Sequence, residues 1–241
     1  MRIVLIGTGR LGTNLAPALR DAGHEVTVVR GRALDDLPSE ADAFIIAVKD
    51  DVLGDVIARA TEGRENQLFL HTAGSMPMSV FEGRCRHYGV FYPMQTFSKE
   101  TLVPFADIPL FLEADCEQIM ATLQSLAESL SHSVYQLSSA DRKYLHLAAV
   151  FACNFANHCM ALSADVLAHI GIPFDVMMPL VDQTVRKLHS IPPAEAQTGP
   201  AVRYDENVIR RQHDLLADNP EMQRIYDLLT ESIHKKTMNN D

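Results

Sequence analysis

The chain has 241 residues, of which 47% are hydrophobic and 22% charged, and its formal net charge at pH 7 is −10. A chain of this length and apolar content buries a core without disulfide or metal staples, and its composition excludes a disordered or collagen-like protein. The acidic balance argues against a nucleic-acid-binding protein, which needs a basic surface.

The N-terminus, the most apolar stretch and the cysteines bear on where the protein works. The residues 7–10 interrupt any apolar targeting segment, so no secretory signal is expected. The stretch 145–162 contains two histidines and two asparagines, which disfavours a membrane span. Four cysteines show no CxxC spacing, so they are expected to be reduced and mostly buried, with no metal site. These features predict a cytoplasmic protein.

The first half of the chain alternates short apolar runs with helical patterns. Its strand candidates are 3–6, 26–29, 43–48, 68–71, 90–92, 108–112 and 134–137, and its helix candidates are 11–22, 52–61 and 117–130. Continuous apolar runs are typical of parallel strands that are buried on both faces. Alternation of such strands with helices predicts an α/β fold with a doubly wound, mostly parallel sheet.

The second half shows only helical patterns. One long helix is expected over 140–170, with further helices over 174–188, 206–217 and 220–235 and an extended loop over 191–204. The sequence thus predicts two domains, 1–138 with the sheet and 139–241 all helical. Apolar residues cover more than one face of the long helix, which indicates a subunit contact and a homodimer.

A glycine-rich turn between a strand and a helix is the strongest motif. Gly7, Gly9 and Gly12 have the spacing GxGxxG. In dinucleotide-binding folds the first glycine permits a tight turn, the second admits a pyrophosphate and the third lets helix and strand pack closely. The N–H groups at the start of the helix favour the negative charge of the pyrophosphate. The alternative is a glycine turn without a ligand. The predicted cofactor-binding residues of this turn are Gly7, Thr8, Gly9, Arg10, Leu11 and Gly12.

The end of the second strand bears on which dinucleotide binds. An Asp or Glu about 20 residues after the glycines would accept a hydrogen bond from the ribose 2′-hydroxyl of NAD. Here the strand ends in Arg30-Gly31-Arg32, and arginine binds phosphate in a bidentate way. Arg30 and Arg32 therefore favour NADP. A solvated loop is the competing interpretation, more so for Arg32.

Polar residues follow the next three strands, at the edge where ligands of a doubly wound sheet bind. Asp50 or Asp51 is expected to cap the helix that follows the third strand. For His71, a hydrogen-bonded interior histidine is an equal alternative to a ligand contact. The residues assigned to this edge are Val48, Lys49, His71 and Thr72 for the cofactor, and Ser75, Gln95 and Thr96 for the substrate.

Polar residues on the long helix are the candidates for catalysis. At about 100° per residue, His146 and Asn157 lie roughly 20° apart and Asn154 roughly 60° from Asn157, which predicts one polar stripe. His146 is the candidate general acid or base, Lys143 is a second candidate, and the two asparagines would orient the substrate. Hydrogen bonding between helices or subunits is the alternative. Arg203 is expected either to reach an anionic substrate or to form a salt bridge.

The N-terminal half resembles the pyrroline-5-carboxylate reductase and deazaflavin-dependent NADP reductase group of Rossmann enzymes in the GTGRLG turn, in Arg30 and Arg32 and in the Ala-Val-Lys turn at 47–49. Over its full length the chain is similar to a family of Rossmann-like predicted oxidoreductases with a domain of unknown function at the C-terminus. The segments that carry this likeness are HTAGS at 71–75, YPMQTFS at 92–98, HLAAVFACNF at 146–155 and TGPAVRYD at 198–205.

The resemblance implies a helical domain like the dimerising domain of 6-phosphogluconate dehydrogenase relatives and an NADP-linked activity with an unassigned substrate. One position departs from the family pattern, because a histidine is expected before the proline of the segment 92–98 and this chain has Tyr92. If that histidine contacts substrate in relatives, its role is in doubt here.

Together these features predict a cytoplasmic NADP(H)-dependent oxidoreductase that binds a small-molecule carbonyl, imine or hydroxy substrate in the cleft between two domains. The alternative is a non-catalytic NADP(H)-binding sensor or partner-binding module. Use of a second nucleotide cofactor, such as a deazaflavin, stays open. The identity of the substrate does not follow from the fold.

Overall fold

The computed structural model of the chain describes residues 1–238. Its strands are β1 Arg2–Ile6, β2 Glu25–Val29, β3 Ala43–Ile46, β4 Leu68–His71, β5 His87–Pro93, β6 Leu110–Ala114 and β7 Val134–Gln136. They form one seven-stranded sheet in the order β2-β1-β3-β4-β5-β6-β7. All neighbours are parallel except β5 and β6. The seven strands expected from the apolar runs are confirmed, and with them the doubly wound α/β fold.

Three helices cover the two faces of this sheet. They are α1 Arg10–Asp21, α2 Asp50–Thr61 and α3 Glu117–Glu128. In β1, which has a neighbouring strand on each side, Ile3 and Leu5 pack with α1 and α3 on one face. Val4 and Ile6 pack with α2 on the other face. A strand that is buried on both faces needs apolar side chains in succession, which explains the continuous apolar run in the sequence.

The order of the strands reverses beside β1. Strand β2 pairs with one edge of β1 and β3 with the other. The loops that leave the carboxyl ends of β1 and β3 therefore border the same crevice, which is where ligands bind in doubly wound sheets. The glycine turn 7–12 and the turn 47–49 both lie at this point.

Helix α4, Ser139–Ala149, belongs to the compact unit that contains the sheet. The sequence places a domain boundary after residue 138, whereas contacts divide the chain between Asn154 and Phe155. The difference arises because α4 is bonded to the sheet, with an ion pair between Arg142 and Glu113 of β6.

The long helix predicted over 140–170 is interrupted. Helix α4 is followed by a π-helical segment, Val150–Phe155, before the next α-helix begins at Ala156. A π-helix closes i→i+5 hydrogen bonds, so residues on either side of it lose the angular spacing of a continuous α-helix. The single polar stripe deduced for His146, Asn154 and Asn157 therefore does not hold.

The second compact unit begins at Phe155. Its helices are α5 Ala156–Ala168, α6 Met178–Lys187, α7 Pro193–Ala196, α8 Pro200–Arg203, α9 Glu206–Asp214 and α10 Pro220–Met238. The segment 191–204, expected to be an extended loop, contains α7 and α8. A proline stands in the first turn of each, where its fixed φ suits the start of a helix.

The helical stretch Ser139–Ala168 is long and apolar enough to cross a membrane, judged by length and composition alone. None of its most apolar 18-residue segment is buried. A single stretch of this kind is weak evidence for a membrane protein. The polar side chains of Asn154, Asn157 and His158 are rarely found on a lipid-facing helix.

Candidate functional site

The glycine turn has the geometry that its sequence predicts. Gly7 has a φ of +130°, and a Cβ added there would lie 2.1 Å from the carbonyl oxygen of Ala47. A Cβ added to Gly12 would lie 2.2 Å from the carbonyl oxygen of Gly7, whereas one added to Gly9 would meet no atom within 4 Å. Two glycines are therefore required by close packing. The third, Gly9, presents its backbone to open space, as a pyrophosphate site requires.

The N-terminus of α1 lacks the groups that usually satisfy a helix start. No side chain caps it, and its first turn contains no acidic residue. Ser138 accepts a hydrogen bond from the third residue of α4, and Asp205 caps α9 in the same way, whereas α2, α3, α5, α6, α7 and α8 also start without a side-chain cap. The first N–H groups of a helix need an acceptor from outside it. Helix α1 thus offers N–H groups and the positive end of its dipole to an anion.

Arg30 and Arg32 follow β2 beside this turn. Both are exposed, and a tight turn brings the Ala33 N–H to 2.8 Å from the Arg30 carbonyl oxygen. Val48 closes the inner side of this turn, because a Cβ on Gly31 would lie 3.1 Å from its Cγ1. Among residues 1–238, no carboxylate forms a salt bridge with either guanidinium. Both arginines are therefore available to a phosphate.

The turn after β3 joins the turn after β4. Helix α2 begins at Asp50, so Lys49 holds the cap position and the expected capping by Asp50 or Asp51 is wrong. Instead, the Ser75 hydroxyl donates a short hydrogen bond to the Asp50 carboxylate. This contact brings a predicted substrate residue to the cofactor edge of the sheet.

His71 and Thr72 are interior residues rather than ligand contacts. His71 is 0% exposed, and its Nδ1 accepts a hydrogen bond from the Ala73 N–H at 3.1 Å. Burial, aided by the Arg142 charge and opposed by the Glu113 charge, lowers the pKa of His71 to about 4. The Thr72 hydroxyl donates to the Ile46 carbonyl oxygen at 3.3 Å. Both side chains are therefore buried at the edge of the sheet and bonded to its backbone. For His71 this is the hydrogen-bonded interior histidine of the two alternatives.

Tyr92 and His146 meet at the end of β5. The Tyr92 hydroxyl lies 3.3 Å from Nδ1 of His146, and the two rings are arranged edge to face. Burial raises the pKa of Tyr92; the Arg142 charge opposes this, and the Asp50 charge adds to it. The tyrosine is therefore a phenol at neutral pH. The sequence indicated His146, but Tyr92 was noticed only as a departure from a family pattern.

A buried arginine holds α4 in place. Arg142 is 1% exposed and donates to Glu113 at 2.6 Å and to the Met76 carbonyl oxygen at 2.8 Å. Ser139 also donates to the same carboxylate through its hydroxyl and backbone N–H. Burial acts to raise the pKa of Glu113, but these hydrogen bonds and the arginine charge outweigh it and lower the pKa. Sequence reasoning missed this network, because a charged residue on a helix is normally read as exposed.

The loop after β5 is tied to α1 by another residue that the sequence did not single out. Asn14 is buried and donates to the carbonyl oxygens of Arg10 and Ser98, while its own oxygen accepts from the Val103 N–H. In the sequence, an asparagine within the apolar face of the first helix is the feature that could have indicated this buried hydrogen-bonding residue. The predicted substrate residues Gln95 and Thr96 lie exposed in this loop, bonded to each other.

The remaining candidates are exposed side chains. Lys143 is exposed on α4, and Asn154 is exposed in the π-helical segment. Asn157 and Arg203 are exposed residues of the second unit, in α5 and at the end of α8. None of the four has a side-chain hydrogen bond to another of the described residues.

The cysteines differ from expectation. Three of the four are exposed and only Cys85 is half-buried, so the expectation of mostly buried thiols is wrong. Burial, together with the Asp115 charge, raises the pKa of Cys85 to about 12. Near it, one ligand atom each of His87, Asp115 and Cys116 lie within 4.8 Å of one another, an arrangement that could hold a metal ion. This cluster was not anticipated from the sequence, and it lies where β5 begins, away from the glycine turn.

The strand order, the glycine turn at the point where that order reverses and the separate helical unit together define a Rossmann-type protein. Residues 108–233, more than half of the chain, match the family described as a domain of unknown function, DUF2520. The chain belongs to this family. The resemblance to Rossmann oxidoreductases with such a C-terminal domain is thereby confirmed.

Solved structures give the same assignment. A candidate NADP oxidoreductase from Bacteroides fragilis is 48% identical with a TM-score of 0.92, over 97% of this chain and 98% of that one. An imine reductase from Myxococcus stipitatus in complex with NADP+ is 15% identical with a TM-score of 0.70, over 99% and 95% of the two chains. A Plasmodium falciparum pyrroline carboxylate reductase with NADP bound is 10% identical with a TM-score of 0.63, over 98% of each chain. The last two share the fold. No curated protein matches the chain.

Proposed function

We propose that the protein is an NADP(H)-dependent oxidoreductase that acts on a small carbonyl, imine or hydroxy compound. Its family and its likeness to the Bacteroides protein support the class of activity. The observation that carries the proposal is the open glycine turn at an uncapped helix start, beside two exposed arginines and at the switch point of the sheet.

The residues present fit NADP. The N–H groups that follow Gly9 at the start of α1 would bind the pyrophosphate. Arg30 and Arg32 would bind the 2′-phosphate, since β2 ends without the carboxylate that an NAD ribose requires. Val48 lies against Gly31, between these arginines, and Val48 and Lys49 would border the nucleotide.

The carboxyl edge of the sheet supplies the groups for substrate. When bound, the reduced nicotinamide supplies a hydride, and the protein contributes positioning and proton transfer. His146 is the proposed proton-transfer residue, because an imidazole has nitrogens that donate and accept protons and this one lies at the same edge. Ser75, Gln95 and Thr96 offer polar groups for orienting the substrate.

Thermal unfolding with NADPH or NADH tests the cofactor assignment. A ligand at about 100 times its Kd adds roughly 2.7 kcal/mol to the free energy of unfolding, which raises the melting temperature. NADPH should stabilise the protein more than NADH, and Arg30→Ala should remove the difference. Arg84→Ala, which alters another exposed arginine of the same unit, should keep it.

Each result has a defined meaning. An equal response to NADPH and NADH would show that the arginines are only a solvated loop. Absence of any response would refute nucleotide binding. If the protein binds NADPH but does not oxidise it when any carbonyl or imine compound is added, it is instead the non-catalytic NADP(H)-binding module.

The protein is further proposed to be a cytoplasmic homodimer. In α4, Tyr144 is 76% exposed and Leu147 is 51% exposed, which leaves an apolar surface that a second copy would cover. The cysteines are free, which fits a reducing compartment.

A further inference from the structure

The backbone after β4 lies directly against two polar rings. A Cβ added to Gly74 would lie 2.7 Å from Nδ1 of His146, 2.7 Å from Cζ of Tyr92 and 2.9 Å from the Tyr92 hydroxyl oxygen. A larger residue at position 74 would displace one or both of these rings. The pair is thus packed against a buried stretch of backbone, and its geometry depends on that contact.

Three elements fix the relative position of these rings. Tyr92 lies near the end of β5, where it also contacts the ring of Phe111 on β6. His146 lies one turn after Arg142, which bonds α4 both to Glu113 and to the loop that contains Gly74. A hydrogen bond held by a strand, a loop and a helix is rigid enough to position a proton donor.

The chemistry of the pair is that of a proton relay. A phenol can donate one hydrogen bond while its oxygen accepts another, and a neutral imidazole has one donor and one acceptor nitrogen. With the proton of His146 on Nδ1, that N–H donates to the Tyr92 oxygen and leaves the phenolic O–H for a second partner. No other described side chain bonds to the Tyr92 hydroxyl.

We infer that Tyr92 is a catalytic residue that gives its hydroxyl proton to the oxygen or nitrogen of the substrate, with His146 as the relay behind it. The inference rests on the proposed reductase function. The substrate carbon is reduced by the hydride of NADPH, which leaves as NADP+, and the π-electron pair of the C=O or C=N bond takes the Tyr92 proton. The Nδ1 proton of His146 restores the phenol while Nε2 takes a proton from solvent, which supplies the one proton that the reduction consumes. The imidazole is neutral before and after, and proton exchange with water returns it from the Nε2–H to the Nδ1–H tautomer before the next turnover.

The test compares full-length wild type with Tyr92→Phe, His146→Gln and the control Tyr135→Phe, an exposed tyrosine on β7. NADPH oxidation is followed with 1-pyrroline as the imine probe and cyclohexanone as the ketone probe. Tyr92→Phe should lower kcat by about 100-fold or more, the usual size of general acid catalysis. Its melting temperature and Kd for NADPH should match the wild type. His146→Gln should lower kcat less, and the control should leave it unchanged.

A second readout needs no substrate. In ¹⁵N spectra of the protein without NADPH, removal of the Tyr92 hydroxyl should change the resonances of the His146 ring nitrogens, and Tyr135→Phe should not. Unchanged resonances would refute the hydrogen-bonded pair. An unchanged kcat in Tyr92→Phe, with an active wild type, would refute the catalytic role alone. A wild type that binds NADPH but reduces neither probe would overturn the reductase function and the relay together.

Discussion

The α-carbon of Gly12 lies so close to Gly7 that a Cβ there would be 2.2 Å from the Gly7 carbonyl oxygen. The neighbouring Gly9 has an ordinary φ of −73° and open space around the same position. Gly12 is therefore required by packing within the protein. At Gly9 the protein leaves room for a side chain, so a glycine there is explained by a ligand that occupies this space.

Alanine substitutions separate these two roles. Gly9→Ala should fold with the wild-type melting temperature but lose most of the roughly 2.7 kcal/mol of stabilisation that NADPH gives at about 100 times its Kd, because the methyl group enters the ligand's space. Gly12→Ala should lower the melting temperature even without NADPH, since backbone must move. Gly54→Ala, on an exposed face of α2, should be neutral or stabilising by up to about 1 kcal/mol. If NADPH stabilises Gly9→Ala as it does the wild type, the turn does not bind pyrophosphate.

Loss of the buried arginine should be costly. Arg142→Met leaves the Glu113 carboxylate without its charged partner, and removal of one member of a buried ion pair costs about 3–5 kcal/mol. The free energy of unfolding in urea measures this directly. Arg2→Ala breaks an exposed pair with Asp42 and should cost about 1 kcal/mol or less. Equal losses in the two variants would contradict the anchoring role of Arg142.

Histidine burial should make stability depend on pH. Between pH 6.5 and pH 4 the unfolded chain protonates His71 while the folded protein keeps it neutral, so the free energy of unfolding falls as the pH falls. With 1.36 kcal/mol for each unit of pKa difference, the loss reaches about 3 kcal/mol. His71→Asn should have a flatter profile across this window. The control variant His189→Asn, at an exposed histidine, should show the same dependence of stability on pH as the wild type. If His71→Asn also shows the wild-type dependence, His71 is not the group responsible.

Subunit association should depend on the exposed face of α4. Leu147→Lys places a charge on this apolar surface and should turn a dimer into a monomer in sedimentation equilibrium. Val52→Lys alters another exposed apolar residue, on α2, and should leave the dimer intact. A wild type that sediments as a monomer would refute the proposed homodimer.

The sheet and the glycine turn could be predicted from the sequence because local patterns determine them. Continuous apolar runs mark strands that are buried on both faces, and the spacing of Gly7, Gly9 and Gly12 follows from one strand, turn and helix. These patterns are local in the chain and therefore readable, although the close approach of Gly7 to Ala47 is a tertiary contact.

The polar half of the site could not be read in the same way. The contact of Tyr92 with His146 and the bond of Arg142 to Glu113 join residues 54 and 29 positions apart. Tertiary packing alone brings such pairs together. The π-helical segment is equally hidden, because apolar spacing does not show whether a turn closes at i+4 or i+5. The angular deduction for Asn157 failed for this reason.

The bare start of α1 has a consequence for how long the protein survives in a cell. A nucleotide that binds only the folded chain lowers the fraction of molecules that open, and proteases cleave opened molecules. A pyrophosphate bound at the uncapped start of α1 would supply this protection. When the nucleotide is scarce in both its oxidised and reduced forms, more chains unfold and are degraded, so the amount of this protein should follow the total supply of NADP(H).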